Sequence, residues 1–195
     1  MDFDSKFGDC VKHIENTIRH TFSNKKLCAE SLNNAGPTAS VYVADRQFTT
    51  LPKNDRLAVY GDIVATSMLC RDWYDGGSTA WTAMRNDVLS NEYLAEIGFT
   101  LGLDHCINKD AGTTSVSKRM MATAVEALLG AVHLDGGDEA LRVVLGQLRI
   151  VSPEDRLVLL AKATKWPSCK AAQACGAFDP SDRGALGFKA LSAII

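Results

Sequence analysis

The chain has 195 residues, 46% of them hydrophobic and 23% charged, which is enough apolar material for one compact domain with its own core and argues against wholesale disorder. A formal net charge of −2 provides no overall basic face, so any grip on nucleic acid has to come from local clusters or from shape. No apolar run approaches the ~20 residues that a membrane-spanning helix needs, so no membrane association is expected.

Phe3, Phe7, Val11, Ile14, Ile18 and Phe22 recur at steps of four and three, which predicts an amphipathic helix over 5–22. A shorter helix follows over 25–34, ended by Asn33-Asn34-Ala35-Gly36-Pro37. Residues 38–53 read as a long loop, with Val41-Tyr42-Val43 the one short extended candidate. From Asp55 to about Trp73 runs a helix apolar on more than one side (Leu57, Tyr60, Ile63, Val64, Met68, Leu69), which predicts a central position; Asp75-Gly76-Gly77 stops it. Residues 78–88 read as helical, and Ser90 or Asn91 caps another helix carrying Leu94, Ile97 and Leu101 on one face. A second central helix begins near Ser117 and runs to Asp135-Gly136-Gly137, with a further helix at about 138–148. Ser152-Pro153-Glu154-Asp155 is a helix start, and 165–195 reads as a loosely ordered tail. The expected fold class is therefore all-α, with one domain over 5–150 and a C-terminal helix and tail over 151–195.

The six cysteines include no CxxC pair and read as reduced thiols. The acidic start Met1-Asp2-Phe3-Asp4 lacks the apolar segment of a secretory signal and the Arg-rich character of a mitochondrial presequence. An intracellular protein, cytoplasmic or nuclear, is expected, with an organelle left open.

Each central helix carries one acid inside an otherwise apolar stretch. Asp62 lies between Gly61 and Ile63, and Glu126 between Val125 and Ala127. A charge in such surroundings is costly unless a partner or a metal offsets it. Helical spacing stacks Ala58 with Asp62 and Thr123 with Glu126, so each helix offers two positions on one face and only one of each pair is acidic.

Asn54-Asp55-Arg56-Leu57-Ala58-Val59-Tyr60-Gly61-Asp62 resembles the ribonuclease III signature Asn-Glu-Arg-Leu-Glu-Phe-Leu-Gly-Asp. Met121-Ala122-Thr123-Ala124-Val125-Glu126-Ala127-Leu128-Leu129-Gly130, followed by Leu134-Asp135-Gly136-Gly137, resembles that family's later helix, and Ser90 to Ile97 its middle helix. The resemblance covers roughly 7–148 and implies an all-α ribonuclease III-type domain acting on double-stranded or structured RNA. In the family, four acids hold Mg²⁺ for hydrolysis. Carried over, two of them fall on Asp62 and Glu126, while the others fall on Ala58 and Thr123, which bring no carboxylate. Asp55 keeps the acidity of the early signature position and is a further metal candidate. The implied function is RNA processing with lost or strongly reduced cleavage. The alternatives are an active Mg²⁺-dependent endoribonuclease using Asp62 and Glu126, and a non-catalytic structural or protein-interaction subunit.

The place of a Thr-His-x-Ser stretch found in bacterial members reads Leu32-Asn33-Asn34-Ala35-Gly36 here, and residues 152–195 do not resemble the double-stranded-RNA-binding domain that many members append. Lys25, Lys26, Lys53, Arg56, Arg71, Arg85, Lys118 and Arg119 are candidates to line an RNA-facing groove, and of these Arg56, Lys118 and Arg119 are the leading RNA-contact candidates. Family domains pair as homodimers through the signature helix, which makes Val59, Tyr60 and Met68 the expected seam, with Trp73 beside them. His133 is expected to be a core or surface histidine.

Overall fold

The computed structural model describes residues 3–36, 40–44, 47–76 and 80–150. The helix and tail expected over 151–195 lie outside them. In chain order the elements are α1 (Phe3–Ile18), α2 (Lys25–Ser31), β1 (Val41–Ala44), β2 (Gln47–Thr50), α3 (Asp55–Gly76), α4 (Trp81–Val88), α5 (Asn91–Thr100), a 3₁₀ turn (Leu103–His105) and α6 (Lys118–Gln147). The fold is helical, as the periodicity predicts.

Each start signal acts through a side-chain oxygen. Ser90 accepts from the Tyr93 amide and Ser117 from the Met120 amide, both at 3.2 Å, satisfying donors that the first turn leaves open. Gly102, at φ +68, supplies the left-handed residue that follows α5. Gly137 (φ 69, ψ −163) breaks α6, so the expected boundary between two helices falls there as a kink within one continuous element.

α1 ends four residues earlier than its apolar spacing predicts. Arg19 turns into the left-handed region at φ 56, and Phe22 is still buried, reaching the core from the following loop. The Phe22 amide donates to the Glu15 carboxylate at 2.7 Å, fixing that turn.

Residues 38–53 correct the expected loop: β1 and β2 pair antiparallel, Val41 opposite Thr50 and Ala44 opposite Gln47. A buried amide network anchors the base of this hairpin. Asn33, wholly buried, donates to the Leu51 and Pro52 carbonyls at 3.2 and 2.9 Å. Its Oδ1 accepts from Ser40 at 2.6 Å and from Asn108 at 2.9 Å. Asn54, also buried, donates to the Ser31 carbonyl at 3.0 Å just before α3 begins.

α6 is the buried rod of the fold. Met121, Ala122, Ala124, Val125 and every residue from Ala127 to Val132 are buried, around a core that includes Ile14, Ile18, Leu32 and Leu94. α3 crosses it and is central on one side only. Leu57, Ala58, Ala65, Met68 and Leu69 are buried, whereas Val59 (64% exposed), Ile63 (59%) and Tyr74 (83%) face outward. The apolar character of α3 on more than one side thus marks an uncovered face as well as the core. Among the described residues no helix is long and apolar enough to cross a membrane.

Candidate functional site

The site begins with two glycines. A Cβ on Gly61 would lie 1.9 Å from the Glu126 carbonyl oxygen, and a Cβ on Gly130 would lie 2.5 Å from the Leu57 carbonyl oxygen. Only hydrogen at both positions lets α3 and α6 touch backbone to backbone. Gly61 faces α6, so its neighbours Tyr60 and Asp62 diverge to the two flanks of the crossing, each about 100° around the helix.

On one flank Asp62 meets the surroundings of Glu126. The Glu126 carboxyl is pushed up to about 7, first by burial and then by the negative charge of Asp62, while the Arg85 guanidinium pulls the other way. Asp62 Oδ1 accepts from Arg85 Nη2 and from Thr66 Oγ1, each at 3.4 Å. Ala58 is buried one turn before Asp62, and Thr123 is half-buried one turn before Glu126. A groove of about 550 Å³ opens beside Asp62, lined among others by Ile63, Cys70, Arg71, Trp81 and Arg85.

On the other flank Tyr60 Oη and His133 Nδ1 are 2.7 Å apart, and His133 Nε2 lies 2.9 Å from Asp138, which also meets Arg71 at 3.4 Å. His133 is thus a polar tie between helices. The other expected residues are more dispersed. Asp55 is exposed and pairs with Lys53 at 3.3 Å. Arg56 is exposed near Glu30, Lys118 pairs with Glu92, and Arg119 is exposed at the start of α6. Val59 is exposed as a seam residue would be, but Met68 is 4% exposed and belongs to the core; Ile63 and Tyr74 continue the outward face instead. Trp73 packs against Trp81 of α4, ring centroids 5.9 Å apart.

The donor set fits a hard cation only in part. Asp62 and Glu126 are two carboxylates of the kind that hold one Mg²⁺ together with waters. Among the described residues no group of three or more His, Cys, Asp or Glu side chains is placed to hold a metal ion. The donors at the crossing are thus two carboxylates, a number that holds one ion together with waters.

A long buried helix is crossed by a second at a glycine contact, with an acid from each on one flank. Residues 55–137 match the family profile described as Ribonuclease III domain. The chain is 30% identical over 145 residues to Ribonuclease 3 of Syntrophotalea carbinolica, covering 70% of this chain and 60% of that protein. It is 28% identical over 163 residues to Ribonuclease 3 of Nitratidesulfovibrio vulgaris, covering 80% and 61%. It therefore spans less than two thirds of the length of these curated relatives. The fold is similar to the nuclease domain of ribonuclease III from Campylobacter jejuni, with a TM-score of 0.58 at 19% identity over 71% of this chain and 96% of that one; that structure is described for flexibility in its region involved in dimer formation. The match is to the ribonuclease III family, carried by residues 55–137.

Proposed function

We propose that residues 5–150 form an RNA-recognising ribonuclease III-type domain that pairs with a second copy and binds double-stranded or structured RNA with little or no cleavage, in RNA processing. The observation that carries this reading is the pair of substitutions at the crossing: Ala58 and Thr123 stand one turn from Asp62 and Glu126, where acids complete the family's set. Two-metal hydrolysis clamps both the attacking and the leaving oxygen. Losing one well-placed electrostatic contact is worth about 10²–10³ in rate, and here about two negative charges are missing.

Asp62 and Glu126 are the residues that would hold one Mg²⁺, which supplies Lewis-acid polarisation of a phosphate oxygen when bound. Arg56, Lys118 and Arg119, exposed at the starts of α3 and α6, would meet phosphates. The outward face of α3, with Val59 as its knob, would be the seam with the second copy.

A second reading, a working Mg²⁺-dependent endoribonuclease, is supported by the two acids kept at the crossing: the Glu126 carboxyl is raised by burial first and then by the charge of Asp62. A labelled RNA duplex incubated with the chain and Mg²⁺ or Mn²⁺ separates the two. Salt-sensitive retention of an intact duplex is expected. Specific cleavage that disappears in Glu126→Gln would establish the second reading. Absence of any salt-sensitive binding would turn the domain into a protein-interaction subunit.

A further inference from the structure

Asp62 has a partner that its sequence surroundings do not announce. Arg85 reaches from α4, placing Nη2 at 3.4 Å from Asp62 Oδ1, with the two side chains 39% and 37% exposed at the edge of the groove. α4 is held alongside α3 by Trp81, one turn before Arg85, through its packing on Trp73. The second guanidinium of the groove, Arg71, is engaged by Asp138 on the opposite flank.

Two carboxylates brought together without a metal leave uncompensated negative charge, and a neighbouring cation is what stabilises their ionised forms. Guanidinium is permanently charged and cannot withdraw by losing a proton. A divalent ion entering between Asp62 and Glu126 would share Asp62 with the Arg85 guanidinium or displace it, and would sit beside a positive charge either way.

We propose that Arg85 is a resident counter-ion: it holds Asp62 in the ion-free protein and competes with divalent cations for that carboxylate. This rests on the reading of Asp62 and Glu126 as the remainder of a metal site. Arg85 is here a positioning residue, acting on the metal through Asp62. The missing acids at Ala58 and Thr123 and the guanidinium on Asp62 act in the same direction, each lowering the attraction of the crossing for a cation.

The test is binding of Mn²⁺ alone, measured by titration calorimetry and thermal shift on the full chain without RNA. The proposal expects Arg85→Gln to bind Mn²⁺ at least about tenfold more tightly than the parent chain, a coupling of ordinary size between two ligands of one group. Arg85→Lys keeps the charge and stays near the parent, and adding Asp62→Asn to Arg85→Gln abolishes the gain. Arg85→Met, which keeps the packing of the stem, repeats the measurement if the Gln variant does not fold. Unchanged or weaker Mn²⁺ binding in the neutral variants, or a gain in Arg85→Lys equal to theirs, overturns the proposal. Duplex retention by the parent chain is scored separately, so failure of the RNA reading is distinguishable from failure of this one.

Discussion

Gly61 and Gly130 meet back to back where α3 crosses α6, and a Cβ at either would collide with the backbone of the other helix. A collision with backbone cannot be relieved by a rotamer change, so the helices must separate. Gly61→Ala and Gly130→Ala are each expected to lower unfolding stability by about 2–3 kcal/mol, in the range of overpacked cores. Urea denaturation followed by circular dichroism measures this. A loss no larger than that of a surface substitution would show that the contact is looser than described.

Asp135 offers a pH-resolved prediction. Its Oδ1 and Oδ2 accept from the Asn24 and Ser23 amides at 2.8 and 2.9 Å, and Oδ2 lies 3.1 Å from His20, so the kinked region of α6 caps the start of α2. Burial alone would push this carboxyl up, but the two amides and the imidazole outweigh it and hold the group below its ordinary 3.8. The unfolded chain therefore binds more protons between the two values. The stabilisation is complete above the ordinary aspartate range and is lost as pH falls through the folded value. Asp135→Asn is expected to cost about 1–2 kcal/mol at neutral pH, with the two chains converging in strongly acidic solution. A difference that persists unchanged into acid would exclude the charge as the cause.

Much of this was legible in the sequence. The helices follow from apolar spacing and from Ser90 and Ser117 as caps, and the two acids stand out because each interrupts an apolar stretch. Of the hairpin only Val41-Tyr42-Val43, which falls in β1, was legible: the anchor of its base is Asn33, whose partners Ser40, Leu51, Pro52 and Asn108 are scattered over the chain and leave no local periodicity. Arg85 was visible only as one basic residue among several, since its pairing with Asp62 joins separate helices. The glycine crossing had a readable trace. Mid-helix glycine is unfavourable by roughly 1 kcal/mol, so Gly61 and Gly130 in the two central helices already called for a reason.

Val59, 64% exposed on an apolar face shared with Ile63, is the sharpest test of the seam. Val59→Asp is expected to shift the chain from dimer to monomer in sedimentation velocity while its circular dichroism spectrum stays that of the parent. A charge at the centre of an apolar contact costs several kcal/mol when it is left unpaired. A parent chain that sediments as a monomer at all accessible concentrations would remove this role from α3.

Restoring the missing acids asks whether the crossing still has the right geometry. The double variant Ala58→Glu and Thr123→Asp is expected to raise Mg²⁺-dependent cleavage of an RNA duplex by about 10²-fold or more over the parent. Ala58 is buried, so its replacement also strains the core, and Thr123→Asp alone separates the two effects. Rates per mole of folded protein, with Glu126→Gln as the blank, give the answer. No gain in either variant would mean that the substitutions are not what limits the chemistry.

The tie between Tyr60 and His133 has a consequence for the opposite flank. With the glycine contact as fulcrum, α3 behaves as a short axle, and the phenol–imidazole bond is a latch on one side of it. Tyr60→Phe removes that latch and leaves the orientation of α3, and with it the place of Asp62, to the glycine contact and the buried side chains of α3 alone.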